Sequence, residues 1–227
     1  MRENLITEKE SKFKVEFIGK KFSDKKKTYK VNIIGLNGVG KSIISYRLFN
    51  NKFEENSSPT ISVDVENFQV KVNETIIQLQ LWDSCGNEEF AKNTPNLFRG
   101  TALAIIVYAI NDRQSFFAVE KWNNILNQYS LECIKYLIGN KSDLEDDRVV
   151  SKEEGETLKD DYDFNLFMET SAKTGFNIKN LINNIAISIY EKIKKKEEED
   201  GPIALNSRIT LNREFYKRSK KKKKKFC

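Results

Sequence analysis

The run Gly35-Leu36-Asn37-Gly38-Val39-Gly40-Lys41-Ser42 has the glycine, lysine and hydroxyl spacing of a phosphate cradle. Glycines let the backbone curl so that successive N–H groups point inward at phosphate oxygens. Lys41 then sets a charge at the β/γ phosphates, and Ser42 offers a hydroxyl to Mg²⁺. A helix starting behind the loop adds its positive dipole end. A second chemical cluster, Asn140-Lys141-Ser142-Asp143, lies about one hundred residues on. A carboxylate such as Asp143 can accept two hydrogen bonds, from guanine N1–H and its 2-amino group. Adenine lacks that donor pair and would leave a buried charge unpaired. Asn140 can tie this loop to the phosphate loop and reach N7, and Lys141 can lay its stem along the base. In Ser171-Ala172-Lys173 the Ala172 N–H can meet the guanine carbonyl oxygen, and Phe53 is placed to cover the base edge. Alone, Asn-Lys-x-Asp is an ordinary charged turn; after a phosphate loop and ahead of Ser-Ala-Lys it reads as a guanine reader.

These loops need strands and helices to hold them. Residues 31–34 are a short apolar run entering the glycine loop, and 42–49 read as the helix leaving it. Residues 62–72 and 75–82 alternate as two strands around an Asn73-Glu74 turn. The continuous apolar run 101–108 predicts a strand buried on both faces. Residues 113–128 read as helix, 134–139 and 166–169 as strands, and Ser151 as an N-cap with Glu153 and Glu154 in the first turn. Ile178, Leu181, Ile182, Ile185, Ile189 and Ile193 stripe a helix over residues 177–196. Strands alternating with helices predict an α/β domain with a mainly parallel, six-stranded sheet and helices on both faces.

Residues 1–28 read as a polar, lysine-rich extension, 29–196 as the folded domain and 197–227 as a flexible tail. Within the extension, residues 13–19 resemble residues 29–35. That is either a local duplication or, given Phe13, Val15 and Phe17 at period two, an extra strand beside the first sheet strand.

Hydrophobic residues at 39 % supply one core, and no apolar run approaches the ~18 residues of a membrane helix. The first ten residues show neither a secretory core nor a myristoylation glycine. The chain has no histidine, which excludes a Cys/His metal site and a histidine base. Three scattered cysteines, Cys85, Cys133 and Cys227, give no disulfide or zinc framework and suit a reducing, cytosolic compartment. Lys217, Arg218 and Lys220 to Lys225 outweigh the net charge of +6, so the rest of the chain is mildly acidic. Basicity confined to a tail is not the charged folded face expected of a nucleic-acid binder.

Five motifs in order carry a resemblance to the Ras-like small GTPases, and to Rab proteins most of all: GLNGVGKS, Pro59-Thr60-Ile61, Trp82-Asp83-Ser84-Cys85-Gly86, NKSD and SAK. The resemblance covers residues 29–195. Rab-like features include Gln80-Leu81-Trp82-Asp83, Arg99-Gly100, residues 111–116 and residues 167–173. It implies a P-loop NTPase fold, the small GTPase G domain, that switches between GTP and GDP with Mg²⁺. The implied nucleotide contacts are Asn37, Gly38, Val39, Gly40, Lys41, Ser42, Ile43, Phe53, Thr60, Asp83, Gly86, Asn140, Lys141, Asp143, Leu144, Ser171, Ala172 and Lys173. Ser42 and Thr60 would hold Mg²⁺, with Asp83 reaching it through water. The Gly86 N–H would sense the γ-phosphate, and Lys41, Gly86 and Asn87 would serve hydrolysis. Loss of that phosphate would relax both segments and change the surface near Trp82, Leu97 and Phe98. Exchange factors, GAPs and effectors are the implied partners of a monomeric protein that directs vesicle traffic.

The chain departs from that pattern at several positions. Asn87 stands where Gln usually orients the attacking water. Being one methylene shorter, it predicts hydrolysis slowed about 10- to 100-fold, or about 1.4–2.7 kcal/mol. Asn37 stands where many relatives carry Gly or Ser; either its larger side chain crowds the water or an arginine finger, or Asn37 or a GAP side chain compensates for Asn87. A GTP-loaded adaptor with negligible hydrolysis is the alternative; Asp143 argues against a P-loop kinase or ATPase. Ser62, Val65, Cys85, Glu89 and Ala109 are milder departures that weaken any sub-family assignment. The lysine run before Phe226-Cys227 reads as a membrane tether prenylated at Cys227, with polybasic residues adding about 1 kcal/mol each near anionic lipid. A lone terminal cysteine is neither a Cys-a-a-X box nor a double cysteine, and a solvated or nuclear-localisation-like basic tail is the other reading.

Overall fold

The computed structural model describes residues 12–20, 26–53, 60, 62–87, 89 and 94–199. Pro59, Ile61, the basic run and Cys227 lie outside them. By its contacts the chain divides into a unit ending at Ile189 and a second beginning at Tyr190. In the second, Lys194 pairs with Glu197 at 2.8 Å and sits 5.7 Å from the Tyr190 ring centroid.

The first unit is built on seven strands: β1 (Val15–Gly19), β2 (Thr28–Ile34), β3 (Val63–Val72), β4 (Thr75–Ser84), β5 (Thr101–Ala109), β6 (Ile134–Asn140) and β7 (Leu166–Glu169). They lie in the order β1-β3-β4-β2-β5-β6-β7. The pairs β2–β4, β2–β5, β5–β6 and β6–β7 are parallel; β3–β4 and β1–β3 are antiparallel. The expected count of six is therefore one short, because residues 15–19 do form a strand. It does not lie beside the first strand of the parallel sheet. Both edges of β2 are already taken by β4 and β5, so the extension pairs with the outer edge of β3, Val15 opposite Val72 and Phe17 opposite Val70. Phe17 stacks on Phe68 at 5.8 Å, and Phe49 meets Phe68 edge-on at 5.0 Å.

Four helices complete the described architecture: α1 (Lys41–Asn50), α2 (Arg113–Tyr129), α3 (Lys152–Asp161) and α4 (Ile178–Glu199). Asp112 caps α2 by accepting from the Gln114 and Ser115 amides, and Phe116, Val119, Trp122 and Leu126 give its buried stripe. Ser151 and Glu154 form a reciprocal capping box on α3. β5 is buried along its whole length, as its unbroken apolar run requires. Successive strand residues face opposite ways. Leu137 of β6 joins the core cluster with α2. Its neighbour Tyr136 turns to α4 and donates to the Asn184 carbonyl at 2.9 Å. Both faces of the sheet are thus covered, and the loops at the carboxyl ends of β2, β4, β6 and β7 are brought to one rim.

Candidate nucleotide site

β2 delivers its chain into the glycine loop, and the loop delivers it into α1. Gly35 (φ 140°) leaves β2 pressed against β5, where a Cβ would lie 2.2 Å from the Val107 carbonyl oxygen. Gly38 and Gly40 both take left-handed conformations, φ 79° and 95°. No side chain caps α1, and its first intrahelical bond runs from Ile44 N to Gly40 O. The Lys41, Ser42 and Ile43 amides thus belong to the first turn, which has no intrahelical acceptors and favours an anion. Lys41 is buried and donates to the Leu36 carbonyl at 2.8 Å, which curls its side chain over the loop. Burial lowers its pKa to about 8, against the opposing pull of Asp83. An ammonium held so far from water is poised to pair with phosphate charge.

The cation-holding candidates converge beside it. The Ser42 and Thr60 hydroxyls share a hydrogen bond of 2.7 Å. Asp83, at the end of β4, is buried, and burial raises its pKa to about 6, offset by the Ser42 hydroxyl and by Lys41. Its Oδ1 is a buried oxygen with no hydrogen-bond partner among the described residues. Two hydroxyls and an under-satisfied carboxylate are hard oxygen donors, and they fit Mg²⁺. Among the described residues no three Asp, Glu, His or Cys side chains cluster as a metal site. Such an ion would therefore need phosphate and water oxygens to complete its shell.

On the base side, Asn140 is the hub. Its Nδ2 donates to the Val39 carbonyl at 2.8 Å, and its Oδ1 accepts from Thr170 Oγ1 at 3.2 Å and Ala172 N at 3.3 Å. One buried carboxamide therefore fastens the glycine loop, the β6 end and the β7 end together. A Cβ on Gly40 would come within 2.4 Å of that Nδ2, so this approach requires glycine. Lys141 follows with φ 64°, and its carbonyl accepts from the Leu144 amide at 2.9 Å. Asp143 accepts from the Ser171 hydroxyl, which in turn accepts from the Thr174 amide at 3.0 Å. Asp143 is thereby held toward the loop that carries Ala172. Lys173 is exposed beside it. Phe53 stands at the surface just beyond α1, 37 % exposed.

The switch side holds two contacts that the sequence did not reveal. Asn37 Oδ1 accepts from the Gly86 N–H at 2.9 Å. A Cβ on Gly86 would lie 2.2 Å from Asn37 N, so the chain after β4 lies directly against the glycine loop. Asn87 is exposed and accepts from the Glu89 amide at 2.9 Å. Leu97 and Phe98 belong to the core rather than to the surface, Phe98 lying parallel to Tyr129 at 6.0 Å. Trp82 is half-buried with the Lys30 ammonium 3.7 Å from its ring centroid. The second unforeseen contact is that of Asn32, which is wholly buried in β2 and donates to the Leu97 carbonyl and, at 3.0 Å, to Thr101 Oγ1. A polar residue inside the apolar run 31–34 was the available signal for that tie.

The Ras family model matches residues 30–191, which takes in β2 from Lys30 onward, the strands β3 to β7 and both binding loops. The chain is 35 % identical over 192 residues to Ras-related protein Rab-8A of Bos taurus, covering 84 % of this chain and 92 % of that protein. The proteins of the same name from Pongo abelii and Rattus norvegicus match with the same identity and coverage. A matched phosphate loop, a base-side hub and these relatives agree, and the chain belongs to the Ras family, as a Ras-like small GTPase similar to Rab proteins.

Proposed function

We propose that this protein is a Rab-type GTP/GDP switch in vesicle-mediated membrane traffic, with slow intrinsic hydrolysis. The observation that carries the nucleotide reading is the Asn140 hub, which locks the phosphate loop to the loops bearing Asp143 and Ala172. In this reading the amides of residues 38–43 and the Lys41 ammonium bind the polyphosphate. Asp143 reads the guanine N1–H and 2-amino group, Ala172 N–H meets the carbonyl oxygen, and Lys141, Leu144, Ser171, Lys173 and Phe53 line the base. Ser42 and Thr60 would hold Mg²⁺ by their hydroxyls, with Asp83 reaching it through water, and the ion would supply positive charge that offsets the phosphates. Gly86 and Thr60 report the γ-phosphate through their amides, and Asn87 positions the attacking water less well than a longer carboxamide would. Residues 29–196 form the switch, with 1–28 and 197–227 as extensions. The lysine run and a lipid on Cys227 would bring it to the cytosolic face of an intracellular membrane, where exchange factors, GAPs and effectors act on it. Conversion of a tail peptide ending in Cys227 to a heavier, prenylated mass is the check on that last point.

The reading is tested by purifying the protein without added nucleotide and identifying by chromatography what it releases. Guanine nucleotide is expected. In calorimetry with Mg²⁺, wild type is expected to prefer GDP over ADP, and Asp143→Ala to lose about 10²- to 10⁴-fold in GDP affinity, the worth of two charge-assisted hydrogen bonds. Equal affinity of Asp143→Ala and wild type for GDP would refute the assignment of the base reader.

A further inference from the structure

The Asn37–Gly86 contact joins two parts of the site that the nucleotide reading treats separately. Asn37 sits in the glycine loop, three residues before the N-cap of α1, Gly40. The residue is exposed, and its backbone is not in the left-handed region, so nothing in the loop's own geometry requires asparagine there. What the side chain does is reach across to the chain leaving β4 and accept the Gly86 N–H at 2.9 Å. That chain lies so close that a Cβ at residue 86 would also fall 2.6 Å from Asn37 Oδ1. Asp83, three residues before Gly86, is the buried carboxylate of the cation corner. The Gly86 amide is therefore a single donor placed between the glycine loop and the cation corner, where the outermost phosphate of a triphosphate would lie. One N–H cannot donate fully to two acceptors.

We propose that Asn37 is a positioning residue that determines nucleotide preference: its carboxamide oxygen substitutes for a γ-phosphate oxygen on the Gly86 amide and so favours the diphosphate state. With GDP the amide keeps its partner and the chain after β4 stays fastened to the loop. Binding GTP requires breaking that bond before the phosphate can take the donor. The net effect on triphosphate binding is then the worth of one intramolecular hydrogen bond, about a 3- to 10-fold shift in relative affinity. The same latch opposes release of the segment when the γ-phosphate departs, because an acceptor is waiting. This inference rests on the guanine-nucleotide reading but concerns a different property, the ratio of the two affinities.

The test uses the full chain with ¹⁵N-glycine label, comparing wild type with Asn37→Ala, which deletes the acceptor at an exposed site without straining the backbone. Affinities for GDP and for a non-hydrolysable GTP analogue are measured by calorimetry in Mg²⁺, and the Gly86 amide is followed by NMR. In Asn37→Ala the ratio of analogue to GDP affinity is expected to rise about 3- to 10-fold. The Gly86 amide proton is expected to move upfield in the GDP form and to stay in place in the analogue form, where phosphate is its acceptor. A ratio unchanged within about twofold, or an amide shift of equal size in both forms, overturns the latch. If wild type bound neither nucleotide, the guanine reading itself would fail; if wild type binds both and the ratio does not move, only the latch fails.

Discussion

At the residue scale, the proposed slow hydrolysis rests on Asn87. It retains the carboxamide of the glutamine usual at this position but is one methylene shorter, and its oxygen accepts from the Glu89 amide. Restoring length is the direct test: single-turnover hydrolysis by Asn87→Gln is expected to run about 10- to 100-fold faster than wild type, with GDP affinity unchanged. Equal rates would show that water positioning does not limit this enzyme, and would favour the reading of a GTP-loaded adaptor. The residues legible without a structure were those whose chemistry is local and sequential: the glycine, lysine and serine of the phosphate loop, and Asn140 and Asp143. Asn37 could be read as a crowding or as a compensating side chain but not as the partner of Gly86, which is 49 positions away. No spacing rule reports a contact that exists only after β2 and β4 have paired.

At the scale of elements, apolar period marked most of the described strands and helices, Ser151 marked the start of α3, and the structure added the Asp112 cap on α2. Ser151 with Glu154, Asp112 ahead of α2, and the unbroken run of β5 each express a local preference that the tertiary structure reinforces. β1 is the instructive case. Alternation at Phe13, Val15 and Phe17 permitted a strand without deciding it against a local duplication, and the pairing partner depended on which edges the rest of the sheet left open, which is a global property. Its hold is aromatic: Phe17, still 42 % exposed, stacks on Phe68, and Phe49 packs against both. Phe17→Ala is expected to cost about 1–2 kcal/mol of stability in urea titration, less than a fully buried aromatic because of that exposure. GDP affinity should stay within about twofold, since the strand lies at the sheet edge away from the loops. No loss of stability would mean that β1 is not part of the cooperative unit.

For the whole molecule, desolvated charge makes stability depend on pH. Lys30 donates to the Asn96 carbonyl at 2.8 Å and lies over Trp82, and burial lowers its pKa from 10.5 to about 8. Between those values the unfolded chain still binds a proton that the folded one has shed, so raising the pH through this window stabilises the folded form. Lys41 contributes in the same direction, which is why a single-site comparison is needed. Wild type is expected to gain stability relative to Lys30→Met as pH rises from about 7.5 to about 10 in urea titrations. A gap independent of pH would show that the Lys30 ammonium is solvated as in the unfolded chain. Among the described residues no helix is long and apolar enough to cross a membrane.

The added strand also changes which main-chain edge the sheet exposes. Without it, the ten residues of β3 would present a long row of unsatisfied main-chain donors and acceptors to any chain seeking to extend the sheet. β1 takes those bonds only opposite Gln69–Val72, with a register slip after Phe17 and Lys20 beyond it paired with Glu66, so among the described residues no strand pairs with the outer edge of residues 63–68. A visitor arriving in extended conformation meets β1 at the Gln69–Val72 end, and the open main-chain edge of β3 lies along residues 63–68.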